Sequence, residues 1–216
     1  MKCQCVILHL LIEWTMMNDR QDKFACPFYY NKIELDDEQC QNAIANTPYF
    51  GAMSVDNSVL NTQFSFLYDP IHEITKEVMN NFGYYKFCIF SSWMTYTESN
   101  YRHGYDHSHT NSFYSGVLYI TENPSPILFR HPMPWRWHDG NRSVNDGVSP
   151  GSNQYIFEPN KGDIVLFPSF VHHVILPHKS RKPRCSIAFN VVPTGTYGMN
   201  DSNITVTVSG GGGGAL

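Results

Sequence analysis

From Tyr84 onward the chain breaks into seven short runs rich in β-branched and aromatic residues: Tyr85–Trp93, Tyr114–Ile120, Ile127–Arg130, Gln154–Phe157, Asp163–Pro168, His172–Leu176 and Cys185–Val192. Clusters of Gly, Pro, Asn and Asp separate them, and these residues supply the backbone angles that tight reversals need. Short strands at such spacing close into a sandwich or jelly roll. Two amphipathic segments come earlier. Leu35–Asn46 carries its acidic residues first, and Ile71–Phe82 repeats Ile71, Ile74, Val78 and Phe82 at helical spacing, which makes one apolar stripe. The expected architecture is mainly β, with flanking helices packed outside a jelly-roll, cupin-like core over about residues 84–193.

With 216 residues, 42% of them hydrophobic and 14% aromatic, the chain is long enough to bury one substantial core. The expected organisation is a single domain over 17–200, preceded by an extension over 1–16 and followed by a flexible Gly-rich tail over 201–216. Met16-Met17 offers an alternative start, and five glycines near the end cannot pack. Fifteen basic against nineteen acidic residues, a net charge of −4, provide no global basic field for nucleic acid or an anionic membrane. The apolar stretch Val6–Ile12 is too short to span a bilayer, and no small-residue cleavage site follows it. Cysteines at 3, 5, 26, 40, 88 and 185 form no C-x-x-C pair, so the expectation is reduced thiols in a cytoplasmic protein.

Chemistry enters at Asp106-His107-Ser108-His109, just before the run that begins at Tyr114. Side chains two apart on an extended backbone share a face, so His107 and His109 can converge on one metal ion while Ser108 turns away. Alternation alone puts any such pair on one face, and a lone histidine is more often a hydrogen-bonded core or surface group, so a third ligand is required. His173 is the candidate, because Phe167-Pro168-Ser169-Phe170-Val171-His172-His173 follows a Gly162-Asp163 turn and an apolar run. His172 should face the other way. His103, His131, His138 and His178 stay unassigned. Eleven residues after His173, Arg184 and Ser186 stand two apart, and a guanidinium with a neighbouring hydroxyl can hold a carboxylate. An arginine at a strand start is, however, usually solvated.

The order of these motifs resembles the catalytic core of the 2-oxoglutarate- and Fe(II)-dependent oxygenases. More narrowly, it resembles an oxygenase group common in phages and marine bacteria. The residues that carry the resemblance are His107-Ser108-His109, Ser115-Gly116-Val117-Leu118-Tyr119, Gly162-Asp163, Phe167-Pro168-Ser169, His173-Val174-Ile175-Leu176-Pro177 and Arg184-Cys185-Ser186-Ile187-Ala188-Phe189-Asn190. The resemblance implies a double-stranded β-helix fold and iron held by His107, His109 and His173. It also implies Arg184 on the far carboxylate of 2-oxoglutarate with Ser186 assisting, Tyr119 as a further donor there, and O2 as the oxidant. The spacing F-P-S-x-x-x-H selects His173 over His172. Two departures stand out. Most of the wider superfamily has an acidic residue where this chain has His109, so the site either uses three histidines or recruits Asp106. Thr110 replaces the proline usual after the second histidine, which affects the turn.

The irregular stretch Pro132–Ser152 is the candidate substrate lid. Its Trp135, Arg136 and Trp137 offer aromatic faces and a guanidinium to a small-molecule or peptide substrate, although a Trp-anchored loop packed on the barrel mouth accounts for them equally well. Two other readings stay open. One is a three-histidine, cupin-type dioxygenase that needs no 2-oxoglutarate. The other is a jelly-roll binding module that has lost its chemistry.

Overall fold

The computed structural model describes residues 26–97, 105–132, 154–177 and 180–209. Two helices come early. Helix α1 (Asp37–Ala45) starts where the Asp36 carboxylate accepts hydrogen bonds from the backbone N–H groups of Glu38 and Gln39 at 3.0 and 3.1 Å. Helix α2 (Tyr68–Asn80) begins three residues before the expected Ile71. Pro70 falls inside its first turn, where a missing N–H costs no helical hydrogen bond. Phe82, expected on its apolar stripe, lies past its end, which Gly83 closes at φ +77°. The Phe82 ring instead meets Tyr29, Phe113 and Tyr114.

Among the described residues there are twelve strands: β1 (Tyr29–Lys32), β2 (Tyr49–Phe50), β3 (Met53–Ser54), β4 (Phe87–Thr97), β5 (Tyr114–Tyr119), β6 (Ile127–Arg130), β7 (Gln154–Phe157), β8 (Asp163–Pro168), β9 (His173–Ile175), β10 (Arg184–Pro193), β11 (Gly195–Tyr197) and β12 (Ile204–Val206). A seven-stranded antiparallel sheet runs β1-β8-β5-β10-β4-β3-β2, and a three-stranded sheet runs β7-β6-β9. These two sheets face each other as the halves of the jelly roll, so the mainly β fold with outer helices stands as read. Strand β12 pairs with β11 inside the segment expected to be tail, and strands β1, β2 and β3 were absent from the sequence reading. The glycine run and residues 1–16 lie outside the described residues.

Alternation divides the large sheet into two faces. On one, Leu118 of β5, Ile164 and Leu166 of β8, and Ile187, Phe189 and Val191 of β10 join Cys40 of α1 and Ile71, Val78 and Met79 of α2 in the helix-side core. On the other, Val117, Tyr119, Val165, Phe167 and Ala188 meet Ile127 and Phe129 of the small sheet. Burying each large apolar side chain contributes roughly 1.5–3 kcal/mol, enough for the two cores to hold the front face rigid. Cys26, Cys40, Cys88 and Cys185 are free thiols. Among the described residues no helix is long and apolar enough to cross a membrane.

Candidate metal centre

His107 and His173 are opposite one another in an antiparallel backbone bridge, exchanging N–H···O bonds of 3.1 and 2.9 Å. Residues paired in this way send their side chains to one face. His109, two residues on, is tied by its N–H to the carbonyl of Ser169 at 2.8 Å. The three rings stand with centroids 4.5 to 5.3 Å apart, and one ligand-type atom from each lies within 4.8 Å of the others. Exposure falls across the set, with His107 exposed, His109 half-buried and His173 buried.

Both bridge histidines are oriented through Nδ1. That atom lies 2.8 Å from the Tyr105 carbonyl in His107 and 3.0 Å from the Val171 carbonyl in His173. A carbonyl only accepts, so Nδ1 carries the proton and Nε2 keeps a free lone pair, the arrangement a metal-binding imidazole requires. Burial and the neighbouring His107 push His109 down to about 4, and burial with the same neighbours pushes His173 down to about 3. Both are therefore neutral at pH 7.

Asp106 is engaged elsewhere. Its carboxylate pairs with the Arg130 guanidinium and has Oδ1 3.4 Å from His172 Nδ1, while His172 itself is exposed on the face away from His173. Among the described residues the cluster able to hold a metal is the three histidines, without a carboxylate.

The second constellation lies deeper on the same inner face. Ser186 of β10 is flanked by its register partners Thr95 of β4 and Tyr119 of β5; one step along, Arg184 faces Thr97. Arg184, Ser186, Tyr119 and Thr97 are at most 1% exposed. Arg184 Nη1 donates to Ser186 Oγ at 2.8 Å, and Ser186 Oγ is 2.7 Å from Thr95 Oγ1. By contrast Arg184 Nε and Nη2, the Tyr119 hydroxyl and the Thr97 hydroxyl are buried with no hydrogen-bond partner. Burial lowers the Arg184 pKa and raises that of Tyr119, the mark of a desolvated pair. Buried donors without partners are rare in folded proteins, and these fall at adjacent register positions of β4, β5 and β10.

A cavity of about 290 Å³ reaches from the three histidines to the edge of the second constellation, since its walls include His107, His109, His173, Thr95 and Ser186. Trp93 and Phe167 line it too, packed 5.8 Å from His109 and 4.9 Å from His173 between ring centroids. At its base Ser115 Oγ donates to Asn190 Oδ1 at 2.7 Å and lies 2.8 Å from Ser169 Oγ, which ties β5, β10 and the turn that holds His109. Of the residues singled out in the sequence, His107, His109, His173 and Ser186 thus line one cavity, while Arg184 and Tyr119 are buried beside Ser186 and do not line it. Trp135, Arg136 and Trp137 lie outside the described residues. Sequence reading missed Trp93, Thr95 and Thr97, whose alternating aromatic and β-branched pattern was the available signal.

The family model described as "Putative 2OG-Fe(II) oxygenase" matches residues 91–190, which include every residue of both constellations. No curated protein matches the sequence. Similar solved structures include a 2OG-Fe(II) oxygenase family oxidoreductase from Burkholderia pseudomallei (TM-score 0.50, 12% identity, 72% of this chain and 76% of that one). HygX from Streptomyces hygroscopicus, with nickel and 2-oxoglutarate bound, also aligns (TM-score 0.50, 12% identity, 78% and 83%). So does the non-heme α-ketoglutarate-dependent epimerase SnoN from nogalamycin biosynthesis (TM-score 0.54, 11% identity, 80% and 79%). At these identities the structural likeness establishes the double-stranded β-helix fold, and over residues 91–190, a little under half of its length, the chain matches the model of the 2-oxoglutarate- and Fe(II)-dependent oxygenases.

Proposed function

We propose that the chain is a hydroxylase in which His107, His109 and His173 hold Fe(II) and Arg184 anchors the far carboxylate of 2-oxoglutarate, and that it oxidises a small-molecule or peptide substrate. The observation that carries this reading is three convergent imidazoles on a cavity whose wall also holds Ser186, the hydrogen-bond acceptor of a fully buried guanidinium whose Nε and Nη2 lack partners. When bound, iron and 2-oxoglutarate supply O2 activation coupled to oxidative decarboxylation, so that substrate C–H, 2-oxoglutarate and O2 give substrate C–OH, succinate and CO2.

The protein's own contribution is positional. The Tyr105 and Val171 carbonyls fix the tautomers of His107 and His173, so that with His109 these residues would hold iron through imidazole nitrogens. Ser186, already bonded to Arg184 and Thr95, assists by holding the guanidinium in place. Trp93, Val117, Ile127 and Phe167 give the cavity an apolar wall that excludes water from the reacting centre. A cupin-type dioxygenase would have no use for Arg184, and a non-catalytic module would have no use for either constellation.

The test is succinate release. Purified protein given Fe(II), 2-oxoglutarate and air should form succinate slowly without substrate, and His173→Ala and Arg184→Ala should each abolish it. Succinate release that survives Arg184→Ala would defeat the assignment.

A further inference from the structure

We infer that Thr97 is a direct ligand of the co-substrate's far carboxylate, completing with Tyr119 and Arg184 a set of four donors that matches the acceptor capacity of one carboxylate. The inference rests on the assignment of Arg184 above and extends it to a residue outside every motif identified in the sequence.

The donor count comes from the structure. An ionised carboxylate has two oxygens with about four lone-pair sites. The buried donors without partners on this face are Arg184 Nε, Arg184 Nη2, the Tyr119 hydroxyl and the Thr97 hydroxyl. Nε and Nη2 form the side-on edge of the guanidinium, the fork that grips both oxygens of a carboxylate at once. Nη1, on the remaining edge, is already given to Ser186, which fixes the plane of the fork. The two hydroxyls come from the strands on either side of β10. Thr97 of β4 is the register partner of Arg184, and Tyr119 of β5 is the register partner of Ser186, so the fork has one hydroxyl flanking it on each side. Ser186 Oγ already accepts from Arg184 Nη1 and shares a hydrogen bond with Thr95 Oγ1, so it is not among the donors without a partner.

Thr97 is distinct from the neighbouring threonine. The Thr95 hydroxyl bonds to Ser186 through both its Oγ, at 2.7 Å, and its backbone carbonyl, at 3.3 Å, and so already has its partners. The Thr97 hydroxyl, at 1% exposure, has none. Valine fits the same χ1-restricted space on a strand, so a hydroxyl kept there unpaired gives the ligand-free fold nothing that valine would not.

The experiment measures binding of 2-oxoglutarate, and of 2-oxovalerate, which lacks the far carboxylate, to Ni(II)-loaded protein without O2, by calorimetry. Thr97→Val is expected to weaken 2-oxoglutarate about tenfold, to leave 2-oxovalerate and Ni(II) affinity unchanged, and to leave the thermal midpoint of the ligand-free protein unchanged or higher. Thr97→Ser, which keeps the hydroxyl, is expected to bind like the parent. Should Thr97→Val fail to fold, Thr97→Ser against Thr97→Ala makes the same comparison. Unaltered 2-oxoglutarate affinity in Thr97→Val, with Arg184→Met still losing it, would overturn the assignment of Thr97 and leave that of Arg184 standing. A parent protein that does not bind 2-oxoglutarate would overturn both. An equal loss for 2-oxovalerate would show that Thr97 acts on the iron end or on the fold, again against the proposal.

Discussion

Burying the Arg184 guanidinium beside Tyr119 costs the folded chain free energy until an anion arrives, because two of its nitrogens have given up water without finding an acceptor. Replacing a buried charge by an apolar side chain of similar volume is often neutral or stabilising. Arg184→Met should therefore abolish 2-oxoglutarate binding while the ligand-free protein unfolds at the same denaturant midpoint or a higher one, a gain of up to about 2 kcal/mol; a marked loss of stability would show that the arginine is structural. Tyr119→Phe belongs to the same class and should weaken 2-oxoglutarate by roughly tenfold without lowering stability, since the hydroxyl it removes is unpaired. In the proposed iron site, His109 would supply a neutral ligand where a carboxylate would add negative charge. His109→Asp is expected to tighten Fe(II), and an unchanged or weaker Fe(II) titration would contradict the three-histidine assignment. What periodicity made legible here is shared faces: a period of two puts His107 with His109, Arg184 with Ser186, and Val117 with Tyr119 on common faces, while the roles of Arg184 and Tyr119 come from the family resemblance. Thr95 and Thr97 were not legible, since the run was ended at Trp93 whereas β4 continues to Thr97. Threonine suits strands as well as valine does, but it does not register as apolar when runs are read by hydrophobicity.

Strands deliver these side chains through pairing, and two devices set the pairing near the metal cluster. The backbone bridge of His107 with His173 attaches the H-x-H segment to β9, and on its outer side Arg130 of β6 pairs with Asp106 while its N–H bonds the His172 carbonyl at 2.8 Å. That ion pair braces the histidine segment from behind. Arg130→Met should loosen it and weaken Ni(II) binding by about tenfold, within the range seen when groups supporting metal ligands are removed; an unchanged Ni(II) affinity would show that the bridge alone suffices. The second device is Gly116 of β5, opposite Phe189 of β10, where an added Cβ would run into the Phe189 ring. Gly116→Ala should cost about 1–3 kcal/mol by overpacking, recovered in part by Phe189→Leu, with thermal unfolding as the measurement. Strands β6, β7 and β8 match their sequence runs because each is bounded by turn residues and carries strong alternation or a continuous apolar run. Strands β2 and β3 have two residues each, too few to show a period, and β1 is an edge strand with three of its four residues exposed. Helix α2 starts three residues before Ile71 because its first turn accommodates Pro70 and lies ahead of the apolar stripe.

At the scale of the whole molecule, the large sheet separates two tasks. Its helix side carries a continuous apolar core with α1 and α2, and its front face carries the cavity, so the residues of the site stand apart from the core that holds the helices. Removing iron with a chelator should thus leave a folded protein with a lower thermal midpoint, and adding Fe(II) at a hundred times its dissociation constant should restore about 2.7 kcal/mol. Unfolding on chelation would mean that the metal is structural. The β-rich class and outer helices were readable from patterning because both cores follow simple periods. The opposition of His107 to His173 was not readable from periodicity, because it depends on long-range pairing across a stretch of chain that contains β5 to β8. The measurement that tests the account most directly is an anaerobic titration of metal-free protein with Fe(II) and then 2-oxoglutarate, followed by visible absorption. A weak charge-transfer band of the chelated 2-oxo acid that appears in the parent and is lost in both His173→Ala and Arg184→Ala is the predicted result. Fe(II) binding with no band in the parent, or a band that persists in Arg184→Ala at the same 2-oxoglutarate concentration, would contradict it.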